Sequence, residues 1–214
     1  GRIAEGRLYL VGCDRGVGKD SWAFSRALGD MAGWFPPPPI WQGPDRVTSS
    51  ETPPRSLQLV ADDAGNTHAL WSDGESAEIT HMRWDGHNWS SAFPVITALQ
   101  GSVEQFTAAS YADRLYLIGR DRQGMFFSDA SIDRPTEWSA PMPIASIPTS
   151  AIAPDLLADN NGLLLTYAIA LNENRGVYLT RSVNQGGTWS EPRLAFDGTA
   201  AGWDMVDAPQ LAKT

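Results

Sequence analysis

The chain has 214 residues, of which 42% are hydrophobic and 19% are charged, and its formal net charge is −9. This acidic balance argues against a nucleic-acid partner, which requires a basic surface. The sequence contains no apolar run of about 18 residues, the length that is needed to span a membrane. Cys13 is the only cysteine, which excludes an intrachain disulfide. The 9 tryptophans, 20 glycines and 15 prolines are typical of turn-rich β structure.

One series of short segments, which we name A to D in chain order, recurs along the chain as B-C-D, then three full sets, then a final A. The segments are rich in β-branched and aromatic residues and end at Gly, Asn, Asp or Pro, as strands do. The predicted A strands are 55–63, 104–112, 153–160 and 207–214. The predicted B strands are 7–12, 67–72, 114–119 and 163–168, and the predicted C strands are 21–27, 78–84, 125–131 and 177–183. The D segments open about 50 residues apart, at Trp34, Trp89, Trp138 and Trp189.

Four strands recurring at this period are the sequence signature of a β-propeller blade. We therefore predict an all-β fold, a β-propeller with four blades of four antiparallel strands in a single domain. The first repeat begins with GRIA, which we expect to be too short for a complete A strand, and prolines 36–39 fall in its D strand, where an edge position tolerates missing amide donors. The blades are predicted at 1–41, 55–96, 104–145 and 153–197, with a further inner strand at 207–214.

The repeat count leaves three ring architectures open. The chain is an arc of a larger ring, or it closes as four blades with 207–214 beside 7–12, or it shares a ring with a second chain. An open arc exposes unpaired strand edges and apolar faces, which proteins avoid unless another element covers them. We therefore expect missing blades or a partner chain to complete the ring.

The stretch RSVNQGGTWSEP, residues 181–192, reads as a tight loop between two strands. The Asn184 side chain can bond to backbone amides of its own turn, and Gly186 adopts a positive φ at no steric cost. Trp189 then begins the next strand with a ring that can cover the loop. The alternative is an ordinary hairpin turn.

With Asn184 in place of the usual Asp, this loop matches the Asp box, or BNR repeat, whose pattern is Ser-x-Asp-x-Gly-x-Thr-Trp. The matching residues are Ser182, Asn184, Gly186, Thr188 and Trp189. The surrounding repeat resembles a blade of the sialidase-type propellers. That resemblance implies a six-bladed ring, a structural box on the C–D turn, and a working face at the opposite end, where the B–C and D–A loops emerge.

Six basic residues are predicted in the loops of that upper face. They are Arg15, Lys19, Arg46, Arg120, Arg122 and Arg175. Arginine forks suit carboxylates such as those of acidic sugars, so we expect an acidic glycan or an acidic protein loop as the ligand. The alternative is that these charges, which have acidic neighbours, only solubilise the loops.

The resemblance also implies what a sialidase needs: an arginine triad for the substrate carboxylate, a tyrosine nucleophile with a glutamate partner, and an aspartate acid. Tyr9, Tyr116 and Tyr167 fall inside B strands, so we interpret them as packing residues. The segment GRIA is a poor match to the family's Arg-Ile-Pro segment. No cysteine lies near any of the three histidines, so we expect no metal site and no cofactor.

The sequence therefore predicts a non-catalytic, sialidase-like propeller module that binds a glycan or a protein partner through its upper-face loops. We expect it to be extracytoplasmic or secreted. The alternative is a fragment of a sialidase or other glycoside hydrolase whose nucleophile lies in missing blades.

Overall fold

The computed structural model describes residues 2–4, 7–13, 20–27, 45–49, 54, 56–73 and 75–212, and in the first four ranges it describes the backbone only. These residues form four antiparallel sheets of four strands each and contain no helix. The described part of the chain therefore offers no helix that could cross a membrane.

In every sheet, each strand pairs with the next one in the sequence. The first sheet contains β1 (Arg2–Ala4), β2 (Arg7–Cys13), β3 (Asp20–Ala27) and β4 (Asp45–Ser49). The second contains β5 (Ser56–Ala61), β6 (Thr67–Ser72), β7 (Glu78–Trp84) and β8 (Phe93–Thr97). The third contains β9 (Gln105–Tyr111), β10 (Arg114–Asp121), β11 (Gly124–Ser131) and β12 (Met142–Pro143). The fourth contains β13 (Ala151–Asp159), β14 (Gly162–Ile169), β15 (Gly176–Ser182) and β16 (Arg193–Asp197).

The predicted B and C strands are confirmed in all four repeats as the second and third strands of the sheets. Alternate residues of a strand point to opposite faces, and both faces of the third sheet are apolar. Leu115 and Leu117 of β10 pack toward the second sheet, whereas Tyr116 and Ile118 pack toward the fourth. Apolar residues on both faces explain why these strands read as nearly continuous hydrophobic runs.

The first sheet differs from its prediction at its outer edge. At the inner edge, Arg2–Ala4 forms a strand of only 3 residues in which Ile3 pairs with Leu8, in agreement with the expected incomplete A strand. The outer strand is Asp45–Ser49, beyond the predicted blade boundary at residue 41, and its free backbone amides allow it to pair with β3. Prolines 36–39, predicted to lie in that strand, are outside the described residues.

The inner strand predicted at 207–214 is not formed over residues 207–212, and residues 213–214 are not described. Ala208 has a left-handed φ of 50°, which breaks an extended chain, and Pro209 has no amide hydrogen to donate. The Leu211 amide donates instead to the Asp155 carboxylate at 2.6 Å. This segment therefore meets β13 through a side chain rather than through a backbone ladder.

The inner strands contact one another in chain order, β1 with β5, β5 with β9, and β9 with β13. Successive sheets therefore lie side by side around their inner strands, as the blades of a β-propeller do. One apolar cluster fills the space between the second and third sheets, and another fills the space between the third and fourth. The loops at each end of these sheets consequently gather on a common face.

Candidate functional site

Arg120, at the end of β10, is held by its neighbours on the upper face. Its Nε donates to the Ala151 carbonyl at 2.8 Å, and its Nη1 forms an ion pair with Glu104. Only 18% of the side chain is exposed, and burial lowers the pKa of its guanidinium. Arg120 thus ties the third sheet to the start of β13 and does not present a free fork.

Arg175, just before β15, makes the corresponding contact in the fourth sheet. Its Nε donates to the Trp203 carbonyl, and its Nη1 donates to the Asn172 carbonyl at 2.9 Å. The predicted site residues Arg120 and Arg175 therefore have the same structural role. Each donates through its Nε to a backbone carbonyl in the segment that follows its own sheet.

The remaining predicted cations are placed differently. Arg122 is exposed, and its stem lies over Gly101, where an added Cβ would be 3.3 Å from the arginine Cδ. Arg46 lies in β4 and not in a loop, because this outer strand lies later in the chain than the sequence suggested. Arg15 and Lys19 lie outside the described residues.

Two upper-face segments of the fourth sheet, residues 170–175 and 197–207, are joined by several hydrogen bonds, and we call them the upper rim. The Gly198 amide donates to the Arg175 carbonyl at 3.0 Å, and the Val206 amide donates to the Ala170 carbonyl at 3.1 Å. The Thr199 hydroxyl donates to the Glu173 carbonyl at 2.7 Å. The upper rim is therefore a fixed surface.

Trp203 is the residue of the upper rim that stands out. The residue is 55% exposed, although an indole ring is among the largest apolar groups available. The ring packs on Phe196 at a centroid distance of 4.8 Å, and Leu171 and Met205 are exposed in the same two segments. Sequence reasoning missed Trp203, although its position between Gly202 and Asp204, outside every predicted strand, was an available signal.

The tyrosines interpreted as packing residues are confirmed as such where the side chains are described. Tyr116 and Tyr167 are both buried in the cluster between the third and fourth sheets. Burial raises the pKa of Tyr167 to about 12 and also raises the pKa of Tyr116. They enter the cluster from facing sheets, Tyr116 from the third and Tyr167 from the fourth.

The turn between β15 and β16 is closed by its own side chains. The Asn184 Oδ1 accepts hydrogen bonds from the Ser182 hydroxyl at 3.0 Å and from the Thr188 amide at 2.9 Å. The Gly186 amide donates to the Ser182 Oγ at 2.8 Å. Gly186 has a φ of +91°, and an added Cβ would lie 2.1 Å from the Phe127 ring. Only glycine fits this contact with the neighbouring sheet.

A Trp-Ser pair recurs after the C strand of three sheets. The serine amide donates to the carbonyl of a C-strand residue, and the serine Oγ accepts the amide of that same residue. The pairs are Ser90 with Arg83, Ser139 with Asp129, and Ser190 with Arg181. This reciprocal bond joins the C strand to the D segment and accounts for the Trp-Ser that the repeats retain.

A buried polar chain lies between the second and third sheets. The His68 Nε2 lies 3.2 Å from the Asp62 carboxylate, and the His68 Nδ1 lies 2.9 Å from the His81 Nε2. Both imidazoles are fully buried. The Pro135 carbonyl lies near His81, whose Nδ1 has no hydrogen-bond partner within the described residues. With Asp62 ionised, the network assigns both rings as neutral, each donating through Nε2.

Burial lowers the pKa of both histidines, that of His81 to about 3, and the nearby Arg83 acts in the same direction. Burial would raise the pKa of Asp62, but hydrogen bonds from Asn66 and His68 outweigh it and leave that pKa below its ordinary value. Across the described ranges, no group of His, Cys, Asp and Glu side chains is arranged to hold a metal ion.

An open groove of 730 Å³ lies on the face of the fourth sheet that points away from the third. Leu164, Leu179 and Trp189 are among its lining residues. Its lining residues belong to β14, β15, the turn after β15 and the start of β16, so it lies away from the upper rim.

No family model and no curated protein sequence matches the chain, but solved structures share its fold. An ulvan lyase of polysaccharide lyase family PL25, bound to GlcA-Rha3S, is 16% identical with a TM-score of 0.57, over 95% of this chain and 56% of that one. An exo-β-1,3-galactanase from Phanerochaete chrysosporium is 13% identical with a TM-score of 0.55, over 90% and 48%. A GH62 α-L-arabinofuranosidase catalytic domain from Coprinopsis cinerea is 12% identical with a TM-score of 0.55, over 88% and 65%.

These likenesses support a β-propeller fold of the kind found among carbohydrate-active enzymes. The chain spans about half to two thirds of the length of these proteins. At such low identity the likeness carries the fold and no site.

Proposed function

We propose that this chain is a non-catalytic propeller module that binds a glycan through its upper-face loops. The observation that carries the proposal is the exposed indole of Trp203, which Arg175 and Phe196 hold in place on the upper rim. An aromatic ring fixed before binding offers apolar contact area with little loss of conformational entropy. The C–H face of a sugar ring is a suitable partner for it.

The comparisons support a glycan as the class of ligand. Each of the three proteins acts on a carbohydrate, and although they include both a lyase and hydrolases, they share this fold. Concave or loop-lined faces of one scaffold commonly serve different chemistries on related ligands. We extend the proposal to an extracytoplasmic location, where such ligands are found.

Among the predicted cations whose side chains are described, Arg122 is exposed and its guanidinium makes no hydrogen bond within the described residues, so it stays a candidate contact on the upper face beside Gly101, apart from the upper rim. Arg120 and Arg175 shape the loops in this proposal, and Arg15, Lys19 and Arg46 stay predictions. The turn Ser182–Trp189 serves as a structural Asp box in the proposal. Its hydrogen bonds and the contact of Gly186 with Phe127 support that role.

The proposal is tested by glycan binding of the purified chain and of two alanine variants. Trp203→Ala removes the indole from the upper rim, whereas Leu194→Ala removes a side chain that is 50% exposed on the outer strand β16. We expect the first variant to lose binding on a glycan array and the second to retain it. Equal binding by both variants, or no binding by the wild-type chain, would contradict the proposal.

The alternative is that the chain is part of a glycoside hydrolase or lyase, which the enzymes among the similar structures favour. Chromogenic glycosides and polysaccharide substrates distinguish the two functions. Turnover by the purified 214-residue chain would establish the enzyme, and binding without turnover would support the module.

A further inference from the structure

We propose that the upper rim takes a neutral, hydroxyl-rich sugar and not the acidic glycan that the arginines suggested. This inference rests on the proposed function, because it names the ligand class of the same site. The juxtaposition that carries it is an exposed indole on a rim whose two segments contain four carboxylates, and whose single guanidinium directs its Nε and Nη1 to backbone carbonyls.

The charge of the upper rim opposes an acidic ligand. Residues 170–175 and 197–207 contain four carboxylates and one guanidinium: Glu173, Asp197, Asp204 and Asp207 against Arg175. Arg175 directs its Nε and Nη1 to the carbonyls of Trp203 and Asn172, so these two donors do not face a ligand. A uronate or sialate carboxylate docking here would meet like charges with no matching fork.

The same carboxylates suit hydroxyl groups. Asp197 and Asp207 each already accept a backbone amide, at 2.9 Å from Ala200 and at 2.7 Å from Ala208. Glu173 and Asp204 are exposed and make no side-chain hydrogen bond within the described part of the chain. An ionised carboxylate only accepts hydrogen bonds, so these two groups can take the hydroxyls of a sugar whose apolar face lies on Trp203.

The platform is built before the ligand arrives. The Trp203 amide donates to the Gly198 carbonyl at 2.9 Å, its carbonyl accepts from Arg175, and its ring rests on Phe196. Two hydrogen bonds therefore hold the backbone of Trp203, and the contact with Phe196 holds its ring. A prearranged aromatic surface loses little entropy on binding, which favours measurable affinity even from a single sugar ring.

The experiment is isothermal titration of the full chain with two sets of oligosaccharides. The neutral set is cellotriose, xylotriose and galactotriose, and the acidic set is trigalacturonate and sialyllactose. We expect at least one neutral sugar to bind with little dependence on salt, since the contact lacks an ion pair, and we expect the acidic sugars to bind more weakly. Binding restricted to the acidic sugars would overturn this inference and leave glycan binding intact, whereas binding of none would overturn both.

Variants locate the binding on the upper rim. Trp203→Ala should weaken the neutral sugar about tenfold or more, as expected for an aromatic anchor, and Leu194→Ala should leave its affinity unchanged. The pair Glu173→Gln and Asp204→Asn keeps side-chain size, removes two charges and should improve relative binding of trigalacturonate. An unchanged preference in that double variant would show that the carboxylates do not select the ligand and would overturn the inference.

Discussion

The interface between the second and third sheets and the one between the third and fourth fill the same positions with different chemistry. Strand register makes His81 the counterpart of Phe127, since they pair with Leu70 and Ile118 respectively. Two residues earlier in each B strand, His68 is the counterpart of Tyr116. We call the interface between the second and third sheets the polar interface, and the interface between the third and fourth sheets the aromatic interface.

Each interface is covered by the C–D turn of the following sheet. In the aromatic interface, Gly186 and Trp189 cover Phe127, with the two aromatic rings 6.1 Å apart. In the polar interface, Pro135 approaches His81, and Trp138 donates its Nε1 hydrogen to the Pro135 carbonyl at 2.9 Å. The scaffold therefore fixes which positions must be filled and leaves open how they are filled. The stability of the two interfaces should respond differently to volume and to pH.

The largest effect is expected from removing volume at the aromatic interface. Phe127 is 2% exposed, so Phe127→Ala should lower the free energy of unfolding by about 3–5 kcal/mol through lost burial and a cavity. Urea denaturation measures it, and Leu194→Ala, on an exposed site, should change stability by less than about 0.5 kcal/mol.

A double-mutant cycle measures the contact between Gly186 and the Phe127 ring. Gly186→Ala alone is strained by its positive φ and by the contact of the new Cβ with the Phe127 ring. In the Phe127→Ala background the cost of the contact between the new Cβ and the ring should disappear, whereas the cost of the positive φ should remain. Additive effects of the two substitutions would contradict the proposed contact between turn and ring.

The polar interface should instead be sensitive to acid. The folded pKa of both histidines lies below the unfolded value of 6.5, so the unfolded chain binds more protons at acidic pH and stability falls as pH drops below 6.5. The lowered pKa of Asp62 acts in the same direction below 3.8. Asp62 and Arg83 are the charged groups that bear on these rings. Between about pH 7 and pH 4 we expect a loss of about 1–3 kcal/mol from this interface.

The control for that pH dependence replaces the two histidines of the polar interface with the corresponding side chains of the aromatic interface. His68→Tyr with His81→Phe gives the polar interface the side chains of its counterpart, and the loss of stability between neutral and acidic pH should become smaller. His81→Phe alone serves if the double variant does not fold. An unchanged pH profile of the melting temperature in a folded variant would show that other groups are responsible.

The sequence predicts the strands at the interfaces better than the contacts across them. The B and C strands are recognisable because both faces are apolar, and their period repeats. Asp62, His68 and His81 are separated along the chain, and only the antiparallel register brings the two rings together diagonally. Arg120 and Arg175 bond to backbone carbonyls, which have no sequence signature. The exposure of Trp203 likewise depends on which other segments pack against it in the folded chain, and the local sequence does not encode this.

The smallest effect is expected in the turn that covers the aromatic interface. Asn184→Ala removes the acceptor shared by Ser182 and Thr188 and should cost about 0.5–1.5 kcal/mol, because the bonds are partly exposed to water. Asn184→Asp retains the acceptor and can accept the Thr188 hydroxyl, so its stability should stay within about 0.5 kcal/mol of wild type. In the polar interface, the covering turn carries the exposed pair Arg134–Glu137 at 2.8 Å, and Glu137→Ala should have an equally small effect. If Asn184→Ala left the melting temperature unchanged but abolished glycan binding, the turn would be part of the binding site, and its structural role would be wrong.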